Sequence, residues 1–182
     1  MIYLVFVLIV IFYILSKPKG PCGYLTANEH IWNTHIVVWY NNCYSYAFTD
    51  LSINRKRKPR IGEKSNNQSK IIYPYICSNI IEVILLDFPD AIYLGKHLYL
   101  KRNICNYHTV FLCITDKGDD YHFYRRNNNG YWTHKPGSLS ISFKDASGNL
   151  ILDPNKSNRN FGVLNYSISC GFFLVKTNFI FK

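Results

Sequence analysis

The stretch from Tyr107 to Gly137 most narrows what this chain can become. Tyr107-His108-Thr109-Val110-Phe111-Leu112-Cys113-Ile114-Thr115 is rich in β-branched and aromatic residues and holds no Asp, Glu, Lys or Arg, which is the composition of a buried strand. Asp116-Lys117-Gly118-Asp119 has turn chemistry, and Tyr121-His122-Phe123-Tyr124-Arg125 runs back from it. Asn127-Asn128-Asn129-Gly130 makes a second turn, with Asn-Gly as its signal, and leads into Tyr131-Trp132-Thr133-His134-Lys135-Pro136-Gly137. Strands joined by turns this short pair antiparallel, because a parallel pair needs a crossover of a dozen residues or more.

Helices are expected ahead of this meander. Residues 28–40 suit a helix or an approach strand. Asn42 is a favoured N-cap, so Cys43 would sit in the first turn of a helix running through Tyr44-Ser45-Tyr46-Ala47. There the unpaired N–H groups and the helix dipole would favour a thiolate and lower the thiol pKa. Residues 52–70, with Pro59 and Gly62, read as a loop, and the apolar 71–88 as a helix or strand pair behind the site. Lys96 to Arg102 alternates like a short strand, 145–149 is a turn, and 166–181 supplies a last apolar strand or two. The expected class is α+β, a Cys-bearing helix packed on an antiparallel sheet. At 182 residues and 48% hydrophobic content the chain builds one core.

Met1 to Leu15 carries no charge, which is short of the ~20 apolar residues of a comfortable membrane span. Lys17 and Lys19 follow it, so a retained single-span anchor would leave the body on the cytoplasmic side. Cleavage as a secretory signal is the alternative. Either way residues 1–19 form an apolar anchor or signal, and 20–182 a single domain. The abundance of Ile, Asn, Lys and Tyr is a codon signature of an AT-rich genome, such as that of a low-GC bacterium or a large DNA virus.

The net charge of +10 favours acidic partners, and much of the excess is local, in Arg55, Lys56, Arg57, Lys58 and Arg60. A run like this is a solvated loop or an anionic-surface patch. The six cysteines show no CxxC and no metal-finger spacing; three disulfides are arithmetically possible, but the chain is large for a disulfide scaffold and Cys77, Cys105 and Cys113 lie in apolar stretches, so the cysteines read as reduced. Nothing in the sequence calls for a cofactor, and zinc on His108, His122, His134 and Cys113 lacks the spacing of a ligand set.

Chemistry is expected at Cys43, which opens a helix, and at His108, which starts a long strand. A thiol nucleophile needs a base that takes its proton and returns it to the leaving group. The base in turn needs an orienting partner. His122 is the first choice for that partner, with Asn127, Asn128 and His134 as alternatives. With the first turn centred on Lys117-Gly118, His108 pairs near Asn127 and His122 falls about five residues away, out of hydrogen-bond reach at ~3.3 Å per residue.

The pieces N-N-C-Y-S-Y-A, H-T-V-F-L-C-I and D-Y-H-F-Y-R-R-N-N-N-G-Y-W-T-H-K-P-G resemble bacterial and viral proteins of the NlpC/P60-like branch of the papain-like fold. The similarity runs from about Val38 to Gly171 and is most specific from Asp120 to Gly137. It implies a nucleophilic Cys43, a base His108 and a polar partner His122, and hydrolysis of a peptide, amide or acyl substrate through an acyl-enzyme. The Asp-x-x-Cys of cell-wall endopeptidases is absent, since Asn41-Asn42 precede Cys43, and peptidoglycan specificity does not transfer. The Asn42 side chain or the Cys43 N–H would hold the oxyanion.

Two other readings are carried forward. One is an inactive membrane-anchored or virion binding module of the same fold, marked by a buried or unactivated Cys43 and by exposed Tyr121, Tyr124, Tyr131 and Trp132. The other is anionic-surface binding through residues 55–60.

Overall fold

The computed structural model describes residues 25–54, 56–97 and 104–177. The apolar run of residues 1–15, Arg55 and most of the expected strand at 96–102 lie outside the described residues. Among the described residues no helix is long and apolar enough to cross a membrane.

The class is α+β. Among the described residues three short helices come first, α1 (Glu29–Trp32), α2 (His35–Tyr40) and α3 (Cys43–Ala47), and a longer α4 (Cys77–Asp87) follows the loop. The strands are β1 (Ile92–Gly95), β2 (Tyr107–Ile114), β3 (Tyr121–Arg126), β4 (Trp132–His134) and β5 (Ile168–Lys176). They form one sheet in the order β1-β5-β2-β3-β4, antiparallel throughout. The meander is β2-β3-β4, and its first hairpin has the register expected of a turn centred on Lys117-Gly118, with Val110 opposite Arg125 and Cys113 opposite His122. Gly118, at φ 63°, packs against Tyr75, whose N–H donates to the Gly118 carbonyl at 2.7 Å.

Both faces of the sheet are covered, which is why β2 is a continuous apolar run rather than an alternating one. Val110, Leu112 and Phe123 turn towards α3 and α4, where they meet Phe48, Ile80 and Ile84. Phe111, Cys113 and Tyr124 turn the other way, onto Trp132, Ile151 and Tyr166. Burying each such ring or branched chain stabilises by about 1.5–3 kcal/mol. Tyr124 and Trp132 are thus core rings, and the recognition surface expected of them is absent because the 141–166 segment packs over that face.

Helix α4 buries Ile80, Val83, Ile84 and Asp87, one stripe at helical spacing. Asp87 ends the stripe and accepts hydrogen bonds from the Tyr44 hydroxyl (2.6 Å), the Gly62 N–H (2.6 Å), and the Ser65 N–H (2.8 Å) and hydroxyl (2.6 Å). Four donors on one carboxylate repay its desolvation and fasten the 60–65 loop beside α3.

The cysteines do not stay reduced. Cys77 is disulfide-bonded to Cys170, and Cys105 is disulfide-bonded as well. Cys170 is the extra residue of a β-bulge, between the pairs Leu112–Gly171 and Cys113–Ser169. The bulge frees Cys170 from the ladder to reach the start of α4. Cys43 and Cys113 are buried free thiols.

Candidate functional site

Asn41-Asn42-Cys43 sets the site. The Asn42 Oδ1 accepts the Ser45 N–H at 3.2 Å, and the Ser45 hydroxyl accepts the Asn42 N–H at 3.0 Å, a reciprocal cap that starts α3 at Cys43. The Asn42 amide nitrogen donates to the Pro59 carbonyl at 2.9 Å, which ties the basic loop to the helix start and takes up a donor expected for an oxyanion.

Behind the cap lies a buried cation. Lys135 is 0% exposed, and its ammonium donates to the carbonyls of Val38 (2.9 Å), Asn41 (2.8 Å) and Gly137 (2.7 Å). Burial and then Lys58 push its pKa down to about 8, so at neutral pH the ammonium still has all three N–H groups to give. It pins the residues before Cys43 to the segment after β4. Arg125 does the same further in, donating to the Tyr46, Thr26 and Ala27 carbonyls with its guanidinium 3.8 Å from the Tyr46 ring centre.

Strand β4 pairs only with Tyr124 to Arg126, so it leaves the Tyr121–Phe123 edge of β3 uncovered. Cys43 sits there, in the same buried cluster as Phe123. Burial dominates and pushes the Cys43 thiol up to about 12, with Phe123 lowering it and Asp120 raising it. The thiolate expected from the helix start is not formed at neutral pH, because removal of the sulfur from water outweighs one short helix turn.

Cys43, His122 and His134 line a single cavity of about 680 Å³. The tautomers follow from the hydrogen bonds. His134 Nε2–H donates to the Lys144 carbonyl at 3.1 Å, so His134 Nδ1 is an acceptor. His122 Nε2–H then donates to it at 2.7 Å, which leaves His122 Nδ1 as the basic nitrogen. The two histidines come together because Tyr124 faces His134 across the second hairpin, which places His122 diagonally opposite on the same face of the sheet. Tyr124 stacks on His134 at 4.9 Å, and Tyr166 lies against His122 at 5.0 Å. Burial and then His134 lower the His122 pKa well below its usual value; burial lowers that of His134 to about 4.

His108 is not in this cavity. Its Nε2–H donates to the Ala47 carbonyl at 2.7 Å and its Nδ1 accepts from the Thr177 hydroxyl at 3.0 Å, so both ring nitrogens are used in closing the far end of α3. It stands five residues along β2 from Cys113, the partner of His122, roughly 16 Å at the rise of a strand. Burial and the Arg125 charge lower its pKa to about 3. Asn127 is also elsewhere, donating to Thr133 at 3.0 Å, and Asn128 is exposed. Cys43 and the hydrogen-bonded pair His122 and His134 thus line one cavity, Cys43 from the α3 face of the sheet and the histidines from the Tyr124 face, and His108 is not among them. Counting the register of the second hairpin as well as the first is the step that finds His134.

Asp120, Lys58 and Tyr166 also line the cavity; no motif singled them out in that setting. Asp120 accepts from the Tyr166 hydroxyl at 2.8 Å and from the Tyr121 N–H at 2.8 Å. Among the described residues no three His, Cys, Asp or Glu side chains gather as a metal site.

No protein-family model matches the chain, and no solved structure matches it. The chain is 30% identical over 128 residues to insoluble matrix shell protein 1 of Ruditapes philippinarum, a match covering 70% of this chain and 77% of that protein. By identity and coverage together, the chain belongs to the family of insoluble matrix shell protein 1.

Proposed function

We propose that the domain is a thiol hydrolase of papain-like, NlpC/P60-like arrangement, which cleaves an amide or ester through an acyl-enzyme on Cys43. The observation that carries this reading is the hydrogen-bonded line from His122 through His134 to the Lys144 carbonyl, set in one cavity with Cys43. With a high thiol pKa and a low imidazole pKa the resting pair is neutral. The thiol proton passes to His122 Nδ1 as the sulfur attacks the substrate carbonyl. The same proton goes to the leaving amine or alcohol, and the Cys43 thioester remains. Water then gives a proton to His122 as it attacks the thioester; the acid leaves, and the proton returns to the cysteine sulfur. His134 holds the His122 ring in the tautomer this needs and spreads the positive charge that forms. The Cys43 N–H is a donor for the developing oxyanion.

The disulfides support an oxidising compartment, and with it secretion after removal of the apolar N-terminus rather than a cytoplasmic body on a membrane anchor.

The test is a burst assay with p-nitrophenyl acetate on the full chain. One equivalent of p-nitrophenolate should appear rapidly, with one acetyl group found on Cys43 by peptide mass spectrometry. The burst rate should hold as pH falls through 6.5 for as long as the domain stays folded, because His122 must be neutral to accept the proton and its pKa is depressed. Acetyl groups scattered over lysines, with Cys43 unmodified, would sink the reading.

One observation favours a second reading. Cys43 is only 7% exposed and its thiol is not ionised, which suits a structural role such as the name of the shell-matrix relative describes. Under that reading Cys43→Ala changes the stability of the domain and removes no catalytic activity.

A further inference from the structure

The cavity at Cys43 adjoins a second of about 630 Å³, and Asn42, Lys58, Asp120 and Tyr121 belong to both walls. The two differ in chemistry. The first offers Leu139, Phe161 and Leu164; the second offers Arg57 and Arg60, with Lys58 at the neck. The basic loop that supplies these cations is fastened in place, by the Asn42 amide on the Pro59 carbonyl and by the Gly62 and Ser65 N–H groups on Asp87. Two carboxylates stand near these cations, Glu63 with a cationic partner and Asp120 with neutral donors only. Glu63 takes the Arg57 guanidinium at 2.7 Å and the Arg60 N–H at 2.9 Å, and Asp120 takes the Tyr166 hydroxyl and the Tyr121 N–H. Among the described residues neither the Lys58 ammonium nor the Arg60 guanidinium forms an ion pair with a carboxylate. Cations on an anchored loop beside a partly enclosed cleft select anionic ligands better than cations on a mobile loop, because the ordering cost of the backbone that carries them is already met.

We infer that the two cavities are one cleft for a peptide, apolar on one side of the bond presented to Cys43 and acidic on the other, with Lys58 and Arg60 receiving its carboxylates. The inference rests on the hydrolase reading for the bond and on charge complementarity for the partner.

The test uses full-chain Cys43→Ala, which binds without turnover, and two fluorescein-labelled peptides. Each carries the same two apolar residues, followed by three glutamates in one and three lysines in the other. Fluorescence anisotropy should show the glutamate peptide binding at least about tenfold tighter, with the advantage shrinking as salt is added. Lys58→Glu with Arg60→Glu, the first half-buried at the neck and the second exposed, should reverse the preference. Equal binding of the two peptides, or a preference that survives the charge reversal, would overturn the inference. So would loss of peptide selectivity alongside charge-dependent binding to phosphatidylserine vesicles, which would assign the cations to a membrane surface. Selective binding by Cys43→Ala without cleavage of the glutamate peptide by the wild-type chain would refute the hydrolase reading alone and leave the acidic-peptide cleft standing.

Discussion

His122→Ala should lower the rate of Cys43 acylation by about a thousandfold, whereas His108→Ala should leave it within a few-fold of wild type. The difference follows from where the two rings stand. His122 lines the cavity with Cys43 and has a basic nitrogen left over after its bond to His134. His108 spends one nitrogen on Ala47 and the other on Thr177. Its loss should therefore appear in stability, with the Ala47 carbonyl left unpartnered at a cost of about 1–3 kcal/mol. His134→Ala should fall between, about a hundredfold slower, because the base survives but its tautomer is no longer held. His134→Asn, whose side-chain oxygen can accept the same His122 proton, should recover part of that loss. Equal defects in His108→Ala and His122→Ala would mean that the wrong histidine has been assigned.

Acidification should unfold the domain well before most carboxylates are protonated. His108 and His134 bind a proton in the folded chain only at about pH 3 and about pH 4, against an ordinary value of 6.5. The unfolded chain therefore holds more protons than the folded one between these limits, and stability falls as pH drops through 6.5. Full stability is present above that value. Each buried imidazole removes about 1.4 kcal/mol per pH unit, so these two together cost on the order of 6 kcal/mol by pH 4. His122 shifts in the same direction and adds to the loss. A total of that size is comparable to the whole stability of an ordinary domain. Urea melts at pH 7, 6 and 5 should show the midpoint falling steeply, and a midpoint constant over this interval would contradict the neutral, buried state of these rings.

The meander was legible from residues 107–137 because charge-free β-branched runs and Asn-Gly or Lys-Gly turns act locally, and the first hairpin's register followed from its turn. The Asn42 cap on Cys43 was legible for the same reason. Other features depend on contacts distant in sequence. Cys77 and Cys170 read as reduced thiols because the bulge that brings Cys170 to α4 is a property of the β2–β5 pairing, not of either strand alone. The Cys43 thiol was expected to be acidic from its place in the helix, but its ionisation is set by burial against β3. His108 looked like the base because it starts a long strand; the strand starts at the far end and runs towards the site, and only the β3–β4 register shows His134 meeting His122. Lys135 had no reading as a surface lysine beside a proline, yet its three carbonyl partners fix the approach to Cys43.

The central claim is that His122 activates a neutral Cys43, and the rate of iodoacetamide labelling at Cys43 against pH, resolved by mass spectrometry, tests it directly. A general base of low pKa gives a rate that is already level at pH 7 and that His122→Ala lowers sharply. A rate that climbs tenfold per pH unit from 7 to 10, the same in wild type and His122→Ala, would mark Cys43 as an inert buried thiol and contradict the claim.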